Sequence, residues 1–525
     1  MAISEIVTRI KKVLPDFKVL SICQSYADEI ALKVRAQDFK DTCITLHKIL
    51  PSPVMMLFAC DARKERGSFA INCVFVDFKK NQWVIVGMDI PQENPSFDTL
   101  AKSMHSASLF EREIWEMFGI EPKDNPDSRR LRLHDEVWPK GNYPLRKDFK
   151  AIQAEKLSDY KFSRVEGEGI FEVPVGPVHA GIIGPGHFRF SVAGEPIINL
   201  ELRLGFTHRG VEKLFEGKLY TDAVGLSECV SGDSSFAHSL AYVLAAEKIS
   251  GIMIPAQADI LRAIFLELER MYNHVNDIGG IAMDVGFSFL HAYASIIKET
   301  ILQLNENLSG NRYLRKINVV GGVTQAIDET KKELLLDFLK RIKFDFSELV
   351  KILNSSVSFM DRVDTTGVLR RKTAEDLGVV GLVARASGIP TDLRKYFPGV
   401  YNQAKFKMMI QESGDVLARL RVRISEFEES CRLIEEFAAR LNQDDKLRTE
   451  VKLKVGSALG YTEGWRGPVL YWLETSPAGL IERCKIVDSS FLNWQGLSFA
   501  VLGNIIPDFP LCNKSFNLSY SGNDL

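Results

Sequence analysis

The amino-acid sequence predicts an α+β N-terminal domain followed by a mainly α-helical bundle, with a small β-rich entrance and a C-terminal β/loop segment. Three observations carry this reading. The chain has 525 residues, more than one hydrophobic core of ordinary size holds, so two or more domains are expected. Its first segment, to about Phe149, mixes short helical stretches with β-branched, partly alternating runs such as SFAINCVFVDF and WVIVGM. Most of residues 235–450 instead repeats apolar residues at helical spacing. In ADILRAIFLELERMYNHV, Ile260, Ile264, Leu268, Met271 and Val275 follow at three- and four-residue steps.

Taken in order, MAISEIVTRIKKVLPDF reads as an amphipathic helix. Behind its basic residues stands no continuous apolar segment and no small-residue cleavage site, so a cytoplasmic chain is expected. The irregular run RLHDEVWPKGNYPLRKDF and the polar, helical-looking KAIQAEKLSDYK put a boundary near residue 150. This divides the chain into a first domain, 1–150, a linker, 151–170, and a second domain, 171–525. In the second domain the strand-like EVPVGPVHA and HFRFSVAGEPIINLEL form the entrance, and the long helices follow. From Leu453 the sequence returns to short strands and loops, with WRGPVLYWLE as a strand candidate.

Composition narrows the function. Lys plus Arg number 66 against 68 Asp plus Glu, a formal net charge of -2, which offers no field to attract nucleic acid. Hydrophobic residues make up 46% and charged ones 26%, and no run reaches the roughly 18 apolar residues of a spanning helix. Contact with a membrane therefore has to come through other chains. The 8 cysteines are scattered without CxxC spacing, which suits free, mostly buried thiols in a reducing compartment. The sequence has neither an iron–sulfur cysteine pattern nor a glycine-rich dinucleotide fingerprint, so clusters and any NAD site are expected on partner subunits.

The segment FEREIWEMFGIEPKDNPDSRRLRL, followed by GNYPLRKDF, resembles the smaller peripheral-arm subunit of complex I, the 30 kDa type. Its Glu111, Arg112, Glu113 and Glu116 are expected to form charge pairs where subunits meet. The second domain is similar to the large subunit shared by complex I, where it is the 49 kDa type, and the membrane-bound nickel–iron hydrogenases. The matching segments include GPVHAG, FTHRGVEKL, SSFAHSLAYVLAAEKI, LELERMYNHVNDIGGIAMDVG, ARASGIPTDLR and IIPDFPLCNKSFNLSYSG. The order, with both subunit types in one polypeptide, looks most like the large subunits of formate-hydrogenlyase-type and hydrogenase-4-type complexes.

Hydrogenase members of that family carry CGxC before the FAH helix and a closing CxxC, because four soft thiolates hold nickel and bridge it to iron. Here Ser231 and Ser234 stand at the first pair of positions, and Ser519 and Gly522 at the second. The resemblance thus implies no nickel–iron centre and no hydrogenase activity. Cys229 and Cys512 lie near the lost motifs but at no ligand position. Only Asn523, Asp524 and Leu525 follow Gly522, the ending expected where no tail is cleaved after metal loading.

In complex I the same cavity takes a quinone headgroup, held by a histidine and a tyrosine with an aspartate behind the histidine. By resemblance His187 and its neighbour His179 fall at the histidine and Asp284 at the aspartate. Gly232 replaces the tyrosine, with Asp233 and Ser234 beside it. Quinone reduction consumes protons as well as electrons, so donors must reach both carbonyl oxygens. His187, Asp284, Asp233 and Glu228 are therefore the candidate catalytic residues. His179, His208 and Arg209 are candidates for binding the acceptor or lining the cavity. Ala180–Pro185, with Gly181, Gly184 and Gly186, reads as a flexible loop. Glu267, Arg270, His274 and Asp277 share one helical face, either as a solvated stripe or as a buried charge row towards a membrane arm.

The resemblance implies a peripheral, ion-translocating oxidoreductase subunit on the cytoplasmic side of a membrane. Electrons would arrive from an iron–sulfur small subunit and a ferredoxin-like subunit and pass to a quinone-like or other acceptor. Membrane-embedded antiporter-like subunits would complete the complex. The alternative is a catalytically silent structural or coupling module that docks partners.

Overall fold

The computed structural model describes residues 2–15, 17, 19–153, 160–180, 183–397, 399–442 and 446–525. The N-terminal part pairs β1 (Val19–Tyr26), β2 (Glu29–Val34), β3 (Met56–Ala62), β4 (Ser68–Asp77) and β5 (Gln82–Pro91) in the order β1-β2-β5-β4-β3. The β2–β5 pair is parallel and the others are antiparallel. Three labelled helices accompany the sheet: α1 (Ala2–Val13), α2 (Ala36–Ile49) and α3 (Ser108–Phe118). In α3, Phe110, Ile114, Met117 and Phe118 are buried at helical spacing. The helix ends at Gly119 with φ 68. A Cβ there would also meet the Tyr143 ring at 2.4 Å, so only glycine fits.

The charged residues of α3 divide their roles. Glu111 accepts from Thr99, the Leu100 N–H and Asn125, and Glu116 from the N–H groups of Leu131, Arg132 and Leu133. Both stitch their own domain, whereas Glu113 reaches across to Lys485 while also pairing with Arg132. Of the expected helical piece KAIQAEKLSDYK, residues 150–153 and 160–161 are not helical and 154–159 lie outside the described residues.

The entrance is the antiparallel sheet of β6 (Ile170–Val175), β7 (His187–Ala193) and β8 (Ile197–Arg203), with β7 central. Phe188, Phe190 and Val192 alternate inward, with Phe188 packed on Trp494 and both phenylalanines on Phe509. The helical body follows: α4 (Ser235–Ser250), α5 (Ala256–Asp284), α6 (Ser288–Ser309), α7 (Glu329–Ser355) and α8 (Val416–Ala438). α5 runs for 29 residues and is buried along most of its length, so polar residues on it must find partners inside the protein. Among the described residues no helix is long and apolar enough to cross a membrane.

The C-terminal stretch corrects the expected β/loop segment. An antiparallel sheet, β9 (Gly456–Glu463), β10 (Pro468–Thr475) and β11 (Ile481–Val487), is followed by helices α9 (Ser489–Ala500), α10 (Phe509–Phe516) and α11 (Tyr520–Asp524). In α9, SSFLNWQGLSFA is apolar on nearly every side and capped by Asp488, which accepts the Ser490 N–H. A helix buried all round lacks the amphipathic period that marks one in sequence. α4 lies directly on β9, where a Cβ at Gly460 would come 2.0 Å from the Ala241 carbonyl oxygen. The other side of the C-terminal sheet closes the N-terminal core, since Leu459, Leu470 and Trp472 share one apolar cluster with Ile30, Phe58 and Trp83.

Candidate functional site

The loop before α4 and the turn before α11 meet at Ser231 and Ser519, whose Oγ atoms lie 2.8 Å apart. Ser231 donates to Asp233 Oδ1 at 2.8 Å, which leaves Ser519 as the donor to Ser231. Ser519 Oγ in turn accepts the Gly522 N–H at 2.9 Å. Hydroxyl hydrogens therefore run in one direction, from Ser519 through Ser231 to the Asp233 carboxylate. Arg466, in the loop between β9 and β10, grips that carboxylate in bidentate fashion at 2.8 and 2.6 Å and stacks on Trp465 at 3.9 Å. Ser234 Oγ accepts the Trp465 indole N–H at 3.0 Å. The Asp233 carbonyl is held by Asn273 at 2.7 Å.

Ser231, Ser234 and Ser519 are buried, but the Asp233 side chain is 41% exposed, so the chain of hydroxyls opens to solvent at this carboxylate. Partial burial pushes the Asp233 carboxyl up. The Arg466 guanidinium and the Ser231 hydroxyl outweigh it and hold the group below the ordinary carboxylate range. Behind the serines, Asp488 accepts from His238 Nε2 at 3.0 Å, and His238 Nδ1 lies 2.9 Å from Tyr471 Oη. Burial likewise opposes ionisation of Asp488, yet His238 and Arg466 bring it down to about 2.

The structure thus gathers Ser231, Ser234, Ser519 and Gly522, the four positions that the resemblance implies for the thiolates of hydrogenases. Three carry hydroxyls already bonded to one another, to Asp233 or to Trp465. The fourth is glycine, and a Cβ there would come 2.7 Å from the Asp488 carboxyl. This donor set does not fit a nickel–iron group. Nor do the neighbouring cysteines supply one. Cys229 is exposed with its thiol directed at the Gly225 carbonyl, while Cys512 packs against Gly367 and burial pushes its thiol up to about 12.

At the entrance, Tyr520 stands next to Ser519, and its Oη lies 3.4 Å from His179 Nε2. The Tyr520 ring fills the space beside Gly184 and Gly186, where Cβ atoms would meet it at 2.9 and 2.7 Å. Those glycines therefore leave room for an aromatic ring. Gly181 lies outside the described residues. His187 points the other way because consecutive strand residues face opposite sides of the sheet. Its ring packs on Phe162 at 4.8 Å and its Nδ1 donates to the Gly176 carbonyl at 3.3 Å. Among the described residues its Nε2 has no partner. Burial lowers both His179 and His187, so both are neutral at pH 7.

The remaining candidates are dispersed. Asp284 is exposed at the end of α5, where its charged neighbour is Lys514. Among the described residues no contact joins it to His187 or Asp233. Glu228 accepts the Lys316 N–H at 2.6 Å and so anchors a loop. His208 Nδ1 donates to the Asp524 carbonyl at 2.7 Å. Arg209 holds the Cys229 and Val230 carbonyls at 2.8 and 3.0 Å. His208 and Arg209 thus position the two segments that carry Ser231 and Ser519.

The charged row of α5 is buried, since Glu267, Arg270, His274 and Asp277 are each 0% exposed. Glu267 takes Arg394, Tyr401 and Ser430. Burial pushes it up, but Arg394 and Arg270 bring it down to about 2. His274 Nε2 lies 2.9 Å from Glu426, and burial holds the imidazole down at about 4. It therefore stays neutral and donates. Asp277 pairs with Arg423 at 2.9 Å and accepts from Asn517 at 2.6 Å. The Asn517 carbonyl is also a partner of Arg466, so the row ends at the serine site. Arg466, Trp465, Tyr520, His238 and Asp488 escape sequence reading, because a buried ion pair or ring contact leaves no periodic trace.

Residues 32–155 match the family described as respiratory-chain NADH dehydrogenase, 30 Kd subunit, and residues 284–454 the 49 Kd subunit of the same enzyme. Formate hydrogenlyase subunit 5 of Escherichia coli is 30% identical over 95% of this chain and 89% of its own length. Hydrogenase-4 component G of the same organism is 31% identical over 89% of this chain and 83% of its own. An NADH-quinone oxidoreductase subunit from Phocaeicola vulgatus is 28% identical over 73% and 78% of the two chains. The fold is shared with a chain in the structure of the membrane-bound sulfane sulfur reductase, an archaeal respiratory membrane complex. That match has a TM-score of 0.64 at 23% identity and covers 68% of this chain and 99% of that one.

Fold and comparisons place the chain among the subunits of complex I-like and hydrogenase complexes. The chain belongs to the family in which the 30 and 49 Kd subunit types of respiratory-chain NADH dehydrogenase are fused, as in formate hydrogenlyase subunit 5 and hydrogenase-4 component G.

Proposed function

We propose that this chain is the peripheral-arm core subunit of a membrane-bound, ion-translocating oxidoreductase. In this reading it receives electrons from iron–sulfur clusters on partner chains and passes them to a quinone or other small acceptor, without a nickel–iron centre. The observation that carries the proposal is the relay Ser519–Ser231–Asp233, closed by Arg466 and open to solvent at Asp233. Where thiolates would bind a metal, this site holds a chain of hydroxyls and an Asp233–Arg466 ion pair, fixed polar groups that suit orienting a small polar acceptor. Tyr520 and His179 supply a second pair of hydrogen-bonding groups beside it.

The partner subunits are an iron–sulfur small subunit, a ferredoxin-like subunit and antiporter-like membrane subunits, with the chain on the cytoplasmic side. The buried row from Asp277 to Glu267 supports coupling, since charges held in a dry interior sense a distant change of charge. The test is turnover of the purified complex with quinone analogues. Asp233→Asn and Tyr520→Phe should each lower the maximal rate at least tenfold. Unchanged turnover in both, or stoichiometric nickel in the protein, overturns the proposal. A second reading is favoured by the direct Ser231–Ser519 contact, which draws the two halves of the site together. In it the chain is a catalytically silent docking module. Turnover that survives both these substitutions and the pair His187→Ala with Asp284→Ala selects that reading.

A further inference from the structure

Between the N-terminal domain, the edge strand β8 and α9 lies a cavity of about 280 Å³. Five arginines line it, Arg112, Arg129, Arg130, Arg132 and Arg203, against the two carboxylates Asp127 and Glu201. Three of the arginines are fully engaged. Arg112 binds Asp127 and the carbonyls of Arg129 and Arg130. Arg129 binds Asp127 and Glu201, and Arg132 binds Glu113 and the Asn523 carbonyl.

The other two keep donors in reserve. Arg203 gives Nη2 to Glu136 and lies over the Tyr160 ring at 3.9 Å. Its Nε and Nη1 make no hydrogen bond among the described residues. Arg130 gives Nη1 to the Trp138 carbonyl at 2.8 Å and Nε to Asp135 at 3.3 Å, and Nη2 is left over. Asn199, on the same strand as Arg203, has an amide with no partner among the described residues. Trp494 borders the cavity too, and its buried indole N–H is likewise unpartnered among them. Donors therefore exceed acceptors around a polar space large enough for a small ligand. A buried donor without an acceptor, as at the Trp494 indole, is costly.

We propose that this interdomain cavity binds a small, doubly charged oxoanion of the phosphate or sulfate class. Arg203 donates to it through Nη1 while its guanidinium supplies charge, and Arg130 Nη2 and the Asn199 amide complete the shell. The ligand joins the two domains at a place that bears on the serine site. Arg132, on the same wall, donates to Asn523 next to Gly522, and Trp494 packs on Tyr520 at 4.9 Å.

The experiment is equilibrium dialysis of the full chain with radiolabelled inorganic phosphate, together with thermal melts in phosphate, sulfate and chloride at matched ionic strength. One equivalent of phosphate should bind. Phosphate and sulfate should raise the melting temperature saturably where chloride does not, and Arg203→Gln should weaken binding about tenfold or more. Should R203Q misfold, Asn199→Leu is the second variant, with the same direction of effect. Absence of bound phosphate on the unaltered protein, or a rise in melting temperature equal to that in chloride, overturns the proposal. All these readouts concern binding, so they stand apart from whether the serine site turns over.

Discussion

A carboxylate gripped by a guanidinium, with a serine hydroxyl donating to it, is a local device for holding a negative charge in place. Its residues can be tested singly. Asp233→Asn leaves the buried Arg466 without its counter-charge and should cost about 2 kcal/mol in denaturant unfolding. That is less than a fully buried pair would cost, because water reaches the carboxylate. His274 provides a pH test with a definite sign. Its folded value is about 4, below the roughly 6.5 of an unfolded chain, so between these values the unfolded state binds more protons. Stability is therefore retained above pH 6.5 and lost as pH falls towards 4. Urea midpoints measured at pH 7 and pH 5 should show a drop that His274→Gln removes.

Elements fix those residues by close approach. Gly460 lets α4 sit on β9, and Gly460→Ala should cost about 1–3 kcal/mol, because its methyl would enter the Ala241 carbonyl. Circular-dichroism melts would report a lowered midpoint with the helix content kept. How much can be read in advance differs between elements. α5 and the strand β7 carry clean periods in the sequence, and β4 and β5 partly alternating ones. The serine positions are legible too, since they sit inside motifs of fixed order. α9 is invisible because its apolar residues fall on nearly every side. Arg466 is invisible because its partner is 233 residues away in sequence. His187 and Asp284 sit at recognisable positions in the sequence, yet the strand pleat turns His187 outward and the helix end carries Asp284 to the surface. Motif matching fixes a residue's place in the chain but not which way it faces.

At the scale of the whole molecule, the two domains share an interior. Leu459, Leu470 and Trp472 complete the apolar cluster begun by β2–β5. Glu113 from the N-terminal domain meets Lys485, which also binds Glu212 at 3.1 Å. A fragment of residues 1–150 should therefore expose apolar surface. Dye binding strongly above that of the intact chain, without a cooperative melt, is the expected outcome. Lys485→Met in the full chain should destabilise both halves together, giving one transition at lower denaturant rather than two.

The shared interior also sets a schedule for biosynthesis. The N-terminal sheet leaves the ribosome long before residues 456–487, which cover its open face, have been made. For most of translation that greasy face has nothing to rest on, and a nascent chain in that condition depends on chaperone shelter. Slowing elongation or depleting such helpers should therefore reduce the yield of soluble protein more than it does for a protein whose first domain closes by itself.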